Sequence, residues 1–154
     1  MAESPRGLAP STLVESAEGP VAMAETPNKG FAVLTRVAGG HLGFRQLIKV
    51  ATAGPVELVR VVLDSGHAVV AARGHLFYRR GGEGVRADQL AAGDLLETAY
   101  SYPEGYVPPD VAAAPPRLAI RVAAVEAAGE GEVMTGTVRD THTLFLTAGI
   151  LCSE

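Results

Sequence analysis

Short runs of apolar and β-branched residues recur along the chain, each closed by glycine, proline or aspartate. In several runs apolar and polar side chains alternate, which is typical of strands with one buried face. Helical periodicity is nearly absent, and turn residues return at roughly ten-residue spacing. This pattern predicts an all-β fold, either a sandwich or a barrel-like arrangement. The clearest predicted strands are residues 12–16, 31–36, 43–50, 56–63, 67–71 and 75–78.

Three segments in the second half of the chain need separate interpretation. Residues 87–96 predict a single helical turn stopped by Gly93 and followed by a further strand. Residues 102–116 contain five of the ten prolines, which predicts a flexible loop inside the domain. Residues 117–125 hold enough alanine for a helix, but their β-branched residues and the two glycines that follow favour a strand.

The segment 132–154 is the most informative part of the sequence. It predicts two strands joined by Asp140-Thr141-His142, then Gly149 and a short apolar tail that ends at Glu154. Cys152 and Ser153 lie within that tail.

Composition and charge exclude several classes of function. The 154 residues, 47% hydrophobic and 19% charged, suffice for one globular domain with a core. The formal net charge of −4 and the absence of a basic block argue against binding to nucleic acid or to anionic membranes. We see no secretory signal and no apolar run of spanning length, so we expect a cytoplasmic monomer that does not bind a membrane.

The cysteine and histidine content argues against a metal site. Cys152 is the only cysteine, so neither an internal disulfide nor a multi-cysteine zinc site can form. The four histidines lack metal-binding spacing, and we expect no metal and no cofactor. His41 and His67 lie in or beside predicted turns, where we expect them to be solvated. A free cysteine is usually a small buried apolar residue, and this is the preferred interpretation of Cys152.

Four segments, in order, resemble the Hint domains of hedgehog proteins and inteins, in particular the bacterial inteins. They are residues 7–21, 63–77, 85–96 and 132–154, and together they extend over nearly the whole chain. Each motif alone is weak, but their order and spacing are specific. The resemblance implies a horseshoe-shaped, pseudo-two-fold all-β fold, without the homing endonuclease that longer inteins carry. It places one Hint domain at residues 7–154 after a flank at residues 1–6.

The resemblance also implies a chemistry of self-cleavage that acts on the flanking polypeptide. In the family, a first-residue Cys or Ser attacks the preceding carbonyl and converts an amide into a thioester or ester. A Thr-x-x-His motif protonates the departing nitrogen, an Asp-x-His motif assists both ends of the reaction, and a final His-Asn pair releases the downstream segment. In hedgehog proteins an external sterol alcohol takes the thioester, and no terminal Asn is required.

Only the interior members of this catalytic set are present in the sequence. The histidine of Thr-x-x-His falls on His75, and Asp-x-His falls on Asp140 and His142. The other positions are replaced. The nucleophile position is Gly7 and the threonine is Ala72, while the final pair is Ser153 and Glu154. An ordinary acyl shift is therefore not expected.

Neighbouring residues are poor substitutes for the missing groups. Using Ser4 or Ser11 as the nucleophile would shift the strand by three or four residues and break its register. The carboxylate of Glu154 is a poor analogue of an asparagine amide. Three hypotheses remain: a Hint-type autoprocessing domain with lost or altered activity, a divergent domain that still cleaves itself, in the intein or the hedgehog manner, and a non-catalytic β module that binds a partner.

Overall fold

The structure is a computed structural model that describes residues 6–28, 31–37, 42–64, 66–80, 82–98 and 120–154. Most of the predicted flank with Ser4, the predicted loop at 102–116, and His41 lie outside the described residues.

The described residues form strands with almost no helix, as the sequence pattern predicts. The strands are β1 (Leu13–Ser16), β2 (Gly19–Ala22), β3 (Phe31–Arg36), β4 (Leu42–Leu63), β5 (Ala68–Ala72), β6 (Leu76–Tyr78), β7 (Gly84–Arg86), β8 (Leu95–Leu96), β9 (Ile120–Val138), β10 (Thr143–Phe145) and β11 (Leu151–Ser153). Short 3-10 helices occupy Met23–Asn28 and Ala87–Gln89, the second of them at the predicted helical turn. None of the described helices is long and apolar enough to span a membrane.

The strands form two antiparallel sheets. The larger sheet has the order β2-β1-β3-β4-β9-β8, and β5 pairs with another part of β4. The smaller sheet has the order β10-β11-β6-β7. A large core draws buried residues from both sheets, and Phe77, Leu8 and Leu144 are among its fully buried members. A smaller cluster consists of Leu34, Phe145 and Leu151.

The length of β4 differs from the sequence prediction. The sequence predicts two separate strands at 43–50 and 56–63, but one strand of 22 residues runs through both. The register shifts between Ala53 and Val56, and the carbonyl oxygen of Gly131 approaches within 2.9 Å of the place where a side chain on Gly54 would begin. The glycines at this point therefore permit a bulge and a close backbone approach rather than ending the strands.

Residues 7–9, which we call the bridging segment, lie between β5 and β9. Leu8 exchanges two backbone hydrogen bonds with Met134 on β9, at 3.0 and 2.8 Å. On the opposite side, the bridging segment pairs with Val70 and Ala72 of β5. The Ala9 N–H donates to the carbonyl of Val70, and the Gly7 carbonyl accepts from the N–H of Ala72. Because β5 and β9 each also pair with β4, the bridging segment closes a ring with these three strands. This ring places Gly7 at a fixed point beside the core.

Candidate active site

Both backbone groups of Gly7 are fixed by hydrogen bonds. Its N–H donates to Nδ1 of His75 at 3.0 Å, and its carbonyl accepts from the N–H of Ala72 at 2.9 Å. The amide nitrogen of Gly7 belongs to the Arg6–Gly7 peptide bond. The structure therefore places a histidine nitrogen beside the peptide bond that precedes the predicted nucleophile position.

The turn after β5 positions His75. The His75 N–H donates to the carbonyl of Ala72 at 2.9 Å, and the His75 carbonyl accepts from the N–H of Ala87 at 2.8 Å. The ring is fully buried and packs edge-on against Phe77, with 5.5 Å between ring centroids. Backbone bonds and core packing thus hold the imidazole in one orientation.

The environment of His75 keeps its ring neutral. The pKa of His75 is lowered from 6.5 to about 3, mainly because the ring is buried and also because of the positive charge of Arg6, and the backbone of Ser153 partly offsets both effects. Because Nδ1 accepts the Gly7 hydrogen bond, the proton of the neutral ring is on Nε2. Nε2 is buried as well.

Ala72 and Cys152 are both buried beside this histidine. Ala72 is fully buried and lacks the hydroxyl that the family motif carries, so it contributes only its backbone N–H to Gly7. Cys152 pairs with Phe77 across β11 and β6, and burial strongly raises the pKa of its thiol. The sulfur is therefore a packed apolar group, as expected from the sequence.

The carboxylate of Glu154 binds the end of β9. Its Oε2 accepts the N–H of Val138 at 2.6 Å, and its Oε1 lies 2.9 Å from Nδ1 of His142. Ser153 is 4% exposed between β10 and β6, and its hydroxyl has no partner among the described residues. Both positions of the replaced final pair are thus ordered, and each side chain is packed or hydrogen-bonded within the domain.

The predicted Asp-x-His pair divides between two environments. His142 is brought to Glu154, with 65% of its side chain exposed. The Asp140 side chain is 78% exposed and forms an ion pair with Arg45 at 3.4 Å. Both residues have positive φ, 67° for Asp140 and 58° for His142, because they form the tight turn between β9 and β10. Of these two residues, only His142 contacts a junction position.

Solved structures of inteins share this architecture along their whole length. The gp41-1 intein matches with a TM-score of 0.73 at 17% identity, covering 98% of this chain and 100% of its own. A DnaB intein from Synechocystis sp. matches with a TM-score of 0.72 at 16% identity, covering 97% and 98%. A bacterial intein-like domain from Clostridium thermocellum gives 0.76 at 17% identity, with full coverage of both chains. The chain has the intein fold. No protein-family model and no curated protein matches the sequence.

The intein fold confirms the all-β Hint architecture expected from the four sequence motifs.

Three residues near the site are not predicted from the sequence. Arg6 contributes charge to the histidine site, and Val133 packs against Gly7. Tyr78 lies near Cys152, and its pKa is raised by burial first and by that thiol second. Val133 and Tyr78 are ordinary members of predicted or observed strands, so no motif could have singled them out.

The possible metal ligands of the described residues are dispersed. Across the parts of the chain that the structure describes, no three His, Cys, Asp or Glu side chains are grouped to hold one. The groups at the described site are His75, the Glu154–His142 pair and the backbone of the bridging segment.

Replacing Glu154 tests its bonds to the end of β9. Glu154→Ala leaves the N–H of Val138 without its partner, and we expect a loss of about 1–2 kcal/mol of unfolding free energy. Glu154→Gln keeps an acceptor oxygen and should lose less than half as much. Urea denaturation of both variants measures the difference, and equal losses would contradict a role for the Val138 bond.

Proposed function

We propose that this chain is an intein-like autoprocessing domain that has lost its acyl-shift chemistry and holds the Arg6–Gly7 peptide without cleaving it. The observation that carries the proposal is the hydrogen bond from the Gly7 N–H to a buried, neutral His75, at a residue with no side-chain nucleophile. The match to intein structures supports an ancestry in self-processing. The polypeptide on either side of the domain is the substrate class that such a domain addresses.

An acyl shift has two requirements at the N-terminal side that this arrangement does not meet. The shift needs an oxygen or sulfur on residue 7 to attack the carbonyl of Arg6, and glycine has neither. It also needs a proton for the departing Gly7 nitrogen. His75 has the correct position for that donor, but at neutral pH its Nδ1 accepts a hydrogen bond instead of carrying a proton.

The C-terminal side lacks a group that could cyclise. Release by cyclisation requires an amide nitrogen that attacks the carbonyl of its own residue, and Glu154 has a carboxylate in its place. Both oxygens of that carboxylate are engaged, one by the N–H of Val138 and the other by His142. These bonds direct the side chain towards the end of β9. A structural role for Glu154 follows from this geometry.

Fusion of a different reporter protein to each end tests the proposal. We expect the purified fusion to keep its full mass after prolonged incubation, with and without added thiol or hydroxylamine, as measured by mass spectrometry. Fragments cut at Arg6–Gly7 or after Glu154 would overturn the proposal. The matched His75→Ala fusion serves as the control, because cleavage that requires His75 identifies a divergent active domain rather than a contaminating protease.

A further inference from the structure

Gly7 differs from the turn glycines of this chain. Its φ is +135°, a backbone conformation that side-chain-bearing residues rarely adopt. A Cβ added there would lie 2.7 Å from Cβ and 2.8 Å from Cγ2 of Val133, and 3.2 Å from the carbonyl oxygen of Met134. Gly19, Gly66 and Gly82 also have positive φ, but nothing lies within 4 Å of a Cβ at those positions. Space, and not only backbone conformation, therefore restricts residue 7.

From these contacts we propose that Val133 determines the residue accepted at position 7, and that it restricts this position to glycine while the Gly7 N–H is bonded to His75. The inference rests on the proposed loss of acyl-shift chemistry and gives it a second structural cause. The nucleophile is missing, and the volume in which its side chain would begin is filled by another residue.

Val133 cannot move aside readily. It is fully buried and pairs with Ala53 on β4. The next residue, Met134, is held on the other edge of β9 by its two hydrogen bonds to Leu8. A β-branched side chain in a strand also has few alternative rotamers. The Val133 methyl groups therefore have a fixed position relative to the bridging segment.

Gly7 is equally constrained, so a side chain there has to break an existing interaction. Keeping the Leu8–Met134 pair forces the new Cβ against Val133. Rotating the backbone of residue 7 to a negative φ turns its N–H away from Nδ1 of His75. A side chain at residue 7 and the bond from its N–H to His75 are thus mutually exclusive while Val133 is present. Restoring a cysteine at position 7 alone is not sufficient to rebuild an active geometry.

A double-mutant cycle with Gly7→Ala and Val133→Gly tests this inference in the full chain. We expect Gly7→Ala to raise the unfolding equilibrium constant by about 100-fold in the native background and by less than about 10-fold in the Val133→Gly background. Gly19→Ala is the matched control, because it imposes a side chain on a positive φ in open space. Its cost should be the same in both backgrounds.

A second readout follows the hydrogen bond itself. The scalar coupling between the Gly7 amide and Nδ1 of His75, observed by NMR, should be present in the native chain, absent in Gly7→Ala and restored in the double variant. If Val133→Gly does not fold, Val133→Ala replaces it. Because that change removes the 2.8 Å contact and keeps the 2.7 Å one, we expect it to reduce the cost of Gly7→Ala only in part. An equal cost of Gly7→Ala with and without the Val133 substitution overturns the inference.

These measurements do not depend on cleavage. A fusion that cleaves itself while the cycle shows coupling would overturn the proposed function and leave the role of Val133 intact. An inert fusion with no coupling in the cycle would do the reverse.

Discussion

Acidification should destabilise the folded chain through His75. The pKa of His75 is 6.5 in an ordinary environment and about 3 in the fold, so below pH 6.5 the unfolded chain binds a proton that the folded chain does not. The contribution of the neutral, buried ring is complete above pH 6.5 and disappears as the pH falls towards 3. At about 1.4 kcal/mol for each unit of pKa difference, the full loss is on the order of 5 kcal/mol. Urea denaturation from pH 7 to pH 3 measures it.

The slope due to His75 is isolated by comparison of variants, because carboxylates also titrate in this range. His75→Gln can still accept the Gly7 hydrogen bond through its amide oxygen but cannot bind a proton, so its stability should change less between pH 6.5 and pH 4. His67→Gln, a change at an exposed histidine, should keep the native slope. Parallel profiles for the native chain and His75→Gln would show that burial of His75 does not control the acid response.

Reinstating the family residue at the penultimate position should unfold the domain rather than activate it. Ser153 is 4% exposed on β11, where it pairs with Thr143. Ser153→His forces a larger, polar ring into packed surroundings, and overpacking together with an unpaired buried nitrogen should cost about 3 kcal/mol or more. We expect a large fall in the thermal unfolding midpoint and no cleavage in a reporter fusion.

Ser153→Ala is the matched control for that substitution. It removes a buried hydroxyl that has no partner in the described part of the chain, so its effect should stay within about 1 kcal/mol of the native stability. Native-like stability of Ser153→His would mean that the position can still accommodate the family's histidine. That result would also contradict a purely structural role for the side chain at position 153.

The parts of the fold that depend on local sequence could be predicted, and those that depend on contacts between distant segments could not. Strand β3 has the predicted bounds of 31–36, since a run of β-prone residues that is followed by Gly39-Gly40 is a local signal in the sequence. The extent of β4 and β9 could not be predicted in the same way. A glycine next to a proline within an apolar run predicts the end of a strand, whereas the close approach of Gly54 to Gly131 is a property of two segments far apart in sequence.

The candidate site shows the same division. His75 could be identified because the family motif is local and its imidazole is chemically distinctive. The partners of the two predicted junction positions could not be identified from local pattern. Glu154 binds Val138 through a backbone N–H, and Val133 meets Gly7 through a contact between strands. Neither a backbone donor nor a buried valine differs in sequence from the many others in the chain.

The ring closed by the bridging segment also sets the order in which the molecule can assemble. Leu8 pairs with Met134, so this contact joins residues that are far apart in the sequence. Forming it therefore carries a large entropic cost of loop closure. Folds dominated by such contacts form slowly. On a ribosome, β5 and His75 emerge long before β9, so residues 7–9 can pair with them first, and we expect the pairing of Leu8 with Met134 to come last. The ring would then close late, as one of the final steps of maturation.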